Sequence, residues 1–144
     1  MGKKRIITKE GGETDAGTVS SKAARAPKKK IVAVTLHIEA TFNNTLGTVT
    51  DKTGNVLFAS SAGALGFKGA KKGTPFAAGK AGEVLSEKCE TLGVKEFDAI
   101  IRGVGSGREP MIRAFLARNF ELTGVRDMTP IPHNGPKQKK PRRV

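Results

Sequence analysis

A regular alternation of apolar and polar residues begins at Ile31 and is the first clear structural signal in the chain. A period of two is typical of a β-strand with one face in the core. Residues 45–50 and 56–60 are also β-prone, and residues 51–55 between them have the composition of a turn. Short connections predict that these three strands form an antiparallel meander. The alternating apolar positions of the first strand are Val32, Val34, Leu36 and Ile38.

The second half of the chain has the periodicity of helices and strands in turn. Thr74 and Pro75 predict a helix start, because threonine is a good N-cap and proline suits the first helical position. Gly93 is a plausible terminator of this helix. A strand is predicted at residues 97–102 and a last strand at residues 120–128. The apolar stripe of the first helix comprises Ala77, Ala81, Val84, Leu85, Cys89 and Leu92.

A second helix is predicted between these last two strands. Ser106 and Glu109 have the spacing of a capping box. Pro110 is tolerated only in a first turn, which argues for a helix start one or two residues later. Alternating strands and helices predict parallel pairing through crossovers. We therefore predict an α/β protein with a mixed five-stranded sheet, formed by the antiparallel meander and then two βαβ crossovers.

The charge of the chain is concentrated at its two ends. The 144 residues suit one domain and carry a net charge of +13. Residues 1–30 contribute +6 and residues 129–144 contribute +5, against +2 for residues 31–128. We predict a disordered basic arm at residues 1–30, a single α/β domain at residues 31–128 and an extended basic tail at residues 129–144. This layout favours an acidic partner such as a nucleic acid.

The tail combines a stiff segment, a turn and a cationic end. Pro130 and Pro132 restrict the backbone, and Asn134 with Gly135 favours a turn. Asn134 is also prone to deamidation, because glycine does not hinder attack of the backbone on the side chain. The basic residues beyond the turn are predicted to contact phosphates, and they are Lys137, Lys139, Lys140, Arg142 and Arg143.

A glycine-rich basic loop at residues 63–73 follows the third strand. Its cations Lys68, Lys71 and Lys72 can meet several phosphates, and Phe67 either stacks on a base or plugs the core. The GFKG sequence within it matches the GXXG loop of KH domains, but four residues are a weak signal and a KH loop joins two helices. A solvated surface loop is the competing interpretation, and the basic ends of the chain favour phosphate contact.

The second glycine-rich loop, residues 103–107, joins a strand to a helix and leaves three interpretations open. It matches a dinucleotide-binding fingerprint in part, with Asp127 where a ribose-binding acid would lie, but Arg108 replaces the third glycine. A helix N-terminus with Arg108 can instead hold one phosphate. A tight turn that simply needs glycine is as good an explanation.

Little in the sequence indicates catalysis or a bound metal. The acids in or beside the strands have no spacing that predicts a metal site, and the two histidines are isolated. Cys89 is the only cysteine, which fits a reducing compartment and small core filler. The longest apolar run, IVAVTLHI, is far too short to span a membrane, and no secretory signal is visible. We expect a soluble cytoplasmic protein without a cofactor.

Several longer motifs carry a resemblance to a known family. They are ATFNNT from position 40, TDKTGNV from 50, SSAGALGFKG from 60, TPFAA from 74, GREPMIRA from 107 and DMTPIPHNG from 127, with PRRV at the end. With these motifs in this order over residues 31–144, the chain resembles the bacterial-type family of small-subunit ribosomal protein number eleven.

The resemblance implies a three-layer, ribonuclease-H-like α/β sheet and a structural, non-catalytic role in the small ribosomal subunit. It implies binding to 16S-type ribosomal RNA on the platform, beside small-subunit proteins seven and eighteen and near the messenger RNA exit path. A nucleotide-binding or nuclease-like enzyme, and a free RNA-binding regulator, are the alternatives. The predicted RNA-binding residues are Asn43, Asn44, Lys68, Lys71, Lys72, Thr74, Gly107, Arg108, Arg113, His133, Asn134, Lys137, Lys139, Lys140, Arg142 and Arg143.

The chain departs from the family pattern in a few places. Val104 and Ser106 stand where the family has prolines, which predicts a more flexible loop. Pro136 replaces the common cysteine after HNG. Three acids within residues 10–15 suggest that only part of the N-terminal arm contacts RNA.

Overall fold

The structure, a computed structural model, describes residues 31–140. The predicted disorder of residues 1–30 and the predicted contacts of Arg142 and Arg143 lie outside this range. The elements are strands β1 (Ala33–Ala40), β2 (Thr45–Thr50) and β3 (Val56–Ser61), a 3-10 helix (Gly69–Gly73), helix α1 (Pro75–Leu92), strand β4 (Glu96–Arg102), helix α2 (Arg108–Leu116) and strand β5 (Glu121–Asp127).

The five strands form one mixed sheet in the order β3-β2-β1-β4-β5. The predicted antiparallel meander of β1, β2 and β3 is confirmed. Strand β4 pairs in parallel with β1, and β5 pairs in parallel with β4. A simple βαβ unit joins two neighbouring strands. The first crossover, from β3 to β4, instead joins two strands that are separated by β2 and β1. It leaves β3 at one edge and passes β2 and β1 before it reaches β4.

Both helices pack on the same face of the sheet. Gly47 of β2 lies beneath both, since a Cβ atom there would be 2.6 Å from Leu85 Cδ1 of α1 and 2.7 Å from Met111 Sδ of α2. The prediction of three layers is thus wrong for residues 31–140, which form two. The physical reason is that crossovers of one hand that advance in one direction along a sheet place their helices on the same side.

The core fills the space between the helices and this face. Phe115 of α2 packs between Phe97 of β4 and Phe120, with ring centroids 5.2 and 5.7 Å away. Cys89 is fully buried, as predicted for core filler, and desolvation raises the pKa of its thiol to about 11. This cysteine is therefore a neutral thiol at physiological pH.

The opposite face of the sheet is open among the described residues, so we call it the open face. His37 and Ile100 are half-buried there, while Glu39 and Arg102 are exposed. The His37 Nε2 atom lies 3.2 Å from the Thr50 hydroxyl, the polar contact that an isolated histidine suggested. Partial burial, and then the charge of Arg102, lower the pKa of His37, so its ring is neutral at physiological pH.

The ends of α1 agree with the predictions from local sequence, whereas the start of α2 does not. Thr74 caps α1 as predicted, because its hydroxyl accepts a hydrogen bond from the Ala77 N–H at 3.3 Å. Gly93 ends α1 in a left-handed conformation with φ 78°. Helix α2 begins at Arg108, earlier than Pro110 suggested, because the proline still lies in the first turn, where its missing N–H has no intrahelical partner to lose.

Candidate nucleic-acid interface

One edge of the sheet gathers the loops in which most of the predicted RNA-binding residues lie. Strands β1, β3, β4 and β5 run in the same direction, so their carboxyl ends share this edge. We call it the loop edge and define it by residues 41–44, 62–76, 103–108 and 128–129. The first three segments are far apart in sequence, and only the sheet brings them together.

Three glycines allow the backbones of the loop edge to interlock. A Cβ atom at any of them would lie closer than 3.0 Å to a carbonyl oxygen of the β1–β2 connection, a separation that real Cβ atoms essentially never show. The loops are therefore held in one relative arrangement. The pairs of glycine and facing carbonyl are Gly103 with Ala40, Gly105 with Thr41 and Gly73 with Phe42.

Hydrogen bonds reinforce this packing. The Gly105 N–H donates to the Ala40 carbonyl at 2.9 Å, which joins the 103–107 loop to β1. The Ser106 hydroxyl donates to the Gly73 carbonyl at 3.0 Å, which joins it to the end of the basic loop. The predicted capping box is therefore wrong: Gly107 is the N-cap of α2 without a side-chain cap bond, and Ser106 makes a tertiary contact instead.

The tail is attached to the loop edge through Asp127 and Thr129. The Thr129 hydroxyl accepts a hydrogen bond from the Gly103 N–H at 3.1 Å and donates one to Asp127 Oδ1 at 2.6 Å. The Thr129 N–H donates to the same carboxylate at 3.0 Å. Arg108 forms an ion pair with Asp127 and donates to the Gly103 carbonyl at 2.7 Å. Asp127 thus fixes the direction in which the tail leaves the sheet.

These bonds set the charge of Asp127. The Thr129 hydroxyl and N–H, and then Arg108, lower the pKa of the Asp127 carboxyl to about 2. A carboxylate so occupied is not free to bind a ribose, as the dinucleotide interpretation required. The guanidinium of Arg108 is likewise committed to Asp127 and Gly103, so its first role is to hold the loop.

A pH dependence of stability follows from the low pKa of Asp127. Because the folded-state pKa lies below the unfolded value of about 3.9, ionised Asp127 stabilises the fold above that pH, and its contribution declines as the pH falls toward 2. We expect Asp127→Asn to lower the unfolding temperature at neutral pH, with a difference from wild type that shrinks between about pH 4 and pH 2. Thermal unfolding of both proteins over this range measures it.

Asp51 supplies a matched control at the opposite edge of the sheet. Hydrogen bonds from the Thr53 and Asn55 side chains lower the pKa of Asp51 to about 2 as well. Asp51→Asn should therefore show a similar pH dependence of stability but leave RNA affinity unchanged, whereas Asp127→Asn should weaken RNA binding through the loosened tail. Equal RNA affinities for the two variants would contradict the role given to Asp127.

The predicted contact residues of the first two loops are adjacent in space. Lys68, Lys71 and Asn43 are exposed, and Lys72 and Asn44 are half-buried. The side chains of Lys72 and Asn44 both border Gly63, at 3.6 and 4.0 Å from the position of a Cβ atom there. The structure thus places Asn44 beside Lys72, and the 3-10 helix that holds Lys71 and Lys72 packs through Gly73 against Phe42 and Asn43.

Other predicted residues have different surroundings. Thr74 uses its hydroxyl for the α1 cap and for a 2.8 Å bond to the Lys71 carbonyl. Gly107 is buried against Thr45 and Ala78, which lets α2 begin close to β2 and leaves little of it to contact a ligand. Arg113 lies in the middle of α2, exposed, with Glu109 at 3.8 Å.

The tail itself extends away from the domain. Residues 128–140 contain no helix or strand, and residues 131–140 are all exposed. This part holds His133, Asn134, Lys137, Lys139 and Lys140. Asn134 has a left-handed backbone with φ 51°, which agrees with the predicted turn.

Sequence reasoning missed two exposed aromatic residues of the loop edge. The side chain of Phe42 is 79% exposed and that of Phe76 is 65% exposed. Phe76 contacts Phe67 edge to face, with ring centroids 6.1 Å apart. Phe42 directly precedes two asparagines, a polar context that could have marked it, whereas Phe76 stands between Pro75 and Ala77 at the start of α1 and gave no such signal.

The described part of the chain shows neither a group of metal ligands nor a helix that could span a membrane. Within residues 31–140, no three His, Cys, Asp or Glu side chains are grouped so as to hold a metal ion. Neither α1 nor α2 has the length and apolar character needed to cross a bilayer.

An α/β domain that holds glycine-rich loops, lysines and a basic tail along one edge of its sheet has the features of a nucleic-acid-binding protein. Comparison with known families identifies it more closely. The sequence matches the family described as Ribosomal protein S11 over residues 34–143, and the chain belongs to this family. It is a structural, rRNA-binding constituent of the small ribosomal subunit, acts in translation and is part of the ribosome in the cytoplasm. The family is not one of enzymes, so the nucleotide-binding or nuclease-like alternative is wrong.

Proposed function

We propose that the loop edge and the tail bind small-subunit ribosomal RNA on the platform, near the messenger RNA exit path. The observation that carries this proposal is the convergence of Lys68, Lys71, Lys72 and Asn43 with the root of the tail on one edge of the sheet. Cations that point from a rigid edge can meet successive phosphates of a folded RNA. The site on the platform rests on the family resemblance.

The mechanism of this binding is charge neutralisation by elements that a nearly neutral domain holds in place. Residues 31–128 have a net charge of only +2, so the attraction depends on where the cations lie, at the loop edge and in the tail, rather than on the charge of the whole domain. Each lysine or arginine that meets a phosphate releases a condensed counterion, which makes the affinity depend on salt. The interlocked loops fix the direction of the cations, and this rigidity reduces the entropy lost on binding.

The proposed protein partners are small-subunit proteins seven and eighteen, and the messenger RNA passes nearby. The open face of the sheet adjoins the loop edge and is available to such neighbours. It contains a depression of about 320 Å³ lined by side chains that include His37, Glu39, Leu46 and Arg102. The mixture of charge and apolar surface there suits a protein better than RNA.

We also propose the domain division and the fold relationship that the sequence suggested. The division is an arm at residues 1–30, a domain at residues 31–128 and a tail at residues 129–144. A ribonuclease-H-like arrangement is supported by the strand order β3-β2-β1-β4-β5, in which β2 alone runs against the other strands.

The test combines sedimentation with directed cleavage of RNA. The full chain should co-sediment with the small subunit through a high-salt gradient, which a free RNA-binding regulator would not do. An iron chelate can then be attached to an introduced cysteine, because native Cys89 is buried and its pKa of about 11 keeps it unreactive. From Lys71→Cys, hydroxyl radicals should cleave platform RNA strongly.

The matched control is Thr53→Cys, an exposed position in the turn between β2 and β3, at the opposite edge of the sheet. It should give weak cleavage or cleavage at other nucleotides. Equal cleavage of the same nucleotides from both positions would contradict the proposed orientation. Loss of the chain from the subunit at high salt would contradict the proposed function as a whole.

A further inference from the structure

Six of the seven phenylalanines of the chain fall into two groups with different surroundings, and the seventh, Phe58 of β3, is half-buried. Phe97, Phe115 and Phe120 are buried together in the core. Phe42, Phe67 and Phe76 lie at the loop edge, where the first and last of them are 79% and 65% exposed. Exposure of a large apolar ring to water is unfavourable. Both of the mostly exposed rings lie in the part of the chain that also holds the lysines. We call these three residues the aromatic patch.

The backbone holds the exposed rings in place. Phe42 lies in the connection between β1 and β2, and its carbonyl packs against Gly73. Phe76 is the second residue of α1, directly after the capped start of the helix. Phe67 supports it from the side, with the two rings at 86°. The rings are therefore presented by elements that are already fixed, which lowers the entropy lost when a ligand stacks on them.

One cation lies against these rings, and others are near them in the sequence. The Lys80 ammonium lies 5.8 Å from the centroid of the Phe76 ring, and its other neighbour is Glu83 at 2.7 Å. Lys68 directly follows Phe67 in the sequence, and Lys71 and Lys72 lie in the 3-10 helix that leads to α1. A ligand that suits both the lysines and the exposed rings has negative charge along its backbone and flat apolar groups attached to it.

Unpaired RNA has this chemistry. In a paired helix, the bases stack on one another and offer only their edges and phosphates, so an exposed ring gains little. In a bulge or loop, the base faces are free and stack on aromatic side chains, with little dependence on sequence. An apolar protein surface could also cover the rings, but it would remove water from the neighbouring lysines without neutralising them.

We propose that Phe42 and Phe76 stack on unpaired bases of the RNA, so that the loop edge recognises a bulge or loop rather than a continuous duplex. This inference rests on the proposed function and adds the kind of RNA structure that the site takes. The lysines supply affinity for any phosphate backbone. The aromatic patch supplies the preference for strands with free bases.

The test uses the full chain and two RNA probes of equal length and charge. One is a hairpin with 2-aminopurine in an unpaired loop, and the other is a continuous duplex with 2-aminopurine inside it. Because the protein has no Trp and no Tyr, its own emission does not interfere. Stacking on a phenylalanine should change the fluorescence of the hairpin probe, and the duplex probe should respond little.

The double variant Phe42→Leu with Phe76→Leu keeps the apolar volume but removes both rings. It should bind the hairpin roughly twenty-five-fold more weakly or worse, because each of the two stacked bases contributes about five- to a hundredfold. Its affinity for the duplex and its salt dependence on either probe should not change. Since both side chains are mostly exposed, thermal unfolding should match wild type. Val56→Ala, a 63% exposed apolar residue at the opposite edge, is the control and should change neither affinity.

Each result distinguishes the inference from the proposed function. Unchanged affinity of the double variant for the hairpin, or an equal loss on hairpin and duplex, would overturn base stacking while phosphate binding stands. A wild-type chain that binds neither probe would overturn the proposed function itself, and the inference with it. The lysine variant Lys71→Gln with Lys72→Gln should differ from the phenylalanine variant. It should weaken binding to both probes and reduce the salt dependence of binding to each.

Discussion

Removal of residues 136–144 should flatten the salt dependence of RNA binding more than any single substitution in the chain. The deleted segment carries five basic residues and no acid. If all five meet phosphates, the slope of log K against log salt should become less steep by about 4.5 units, at roughly 0.9 per neutralised phosphate. At low salt the affinity should fall by roughly a hundredfold or more for the same reason. Filter binding to small-subunit RNA over a salt series measures both quantities.

Two controls separate the tail from general charge. A chain of full length with glutamine at the five basic positions should behave like the truncated one, which shows that charge and not length is responsible. Lys52→Gln removes an exposed cation from the opposite edge of the sheet and should change the slope by less than one unit. An unchanged slope after truncation would show that the tail lies outside the RNA.

Replacement of Gly103 by alanine should cost about 3 kcal/mol or more of the free energy of unfolding. Two effects combine at this position. Its φ of 92° is a conformation that residues with a side chain rarely adopt, and an added Cβ atom would collide with the Ala40 carbonyl. The β1–β2 and β4–α2 connections would have to separate, so RNA affinity should fall as well. Urea unfolding and the RNA titration test the two consequences.

Gly66 isolates the conformational part of this effect. It has a similar φ of 87°, but nothing lies within 4 Å of a Cβ atom there. Gly66→Ala therefore introduces the conformational strain alone, which costs about 1 kcal/mol. The difference between the two variants measures the interlocking of the loops. Equal losses would mean that the close approach to Ala40 contributes nothing to stability.

The parts of the fold that depend on local sequence were predictable. The period of two at Val34, Leu36 and Ile38 identified β1, and the Asp51 turn identified the meander. Thr74 with Pro75 and then Gly93 gave the limits of α1. In each case, neighbouring residues supply most of the physical reason for the conformation.

The wrong predictions concern contacts between residues that are far apart in the sequence. Nothing near β4 reveals that it pairs with β1 rather than β3, and this choice decides that both helices share one face. Ser106 has the sequence context of a cap, but its hydroxyl bonds to Gly73, which is brought close only by the finished sheet. Local propensity cannot include a partner that the fold itself supplies.

The candidate site was predictable in its composition but not in its arrangement. Lys68, Lys71 and Lys72 stood out by charge, and the motif resemblance added the asparagines. Their convergence with the root of the tail depends on the common direction of four strands, which the chain order alone leaves open. The exposure of Phe42 and Phe76 was missed because an aromatic residue is more often buried than presented.

The strand order also determines when the core can close while the chain is being made. The central strand β1 leaves the exit tunnel early, but its partner β4 and the helix that covers them come much later. Contacts between such distant segments form slowly, and a domain completes its folding only when its last strand is available. The carboxyl end of β5 carries Asp127, which holds the root of the tail, and β5 pairs with β4. The attachment of the tail to the sheet is therefore among the last contacts of the domain to form.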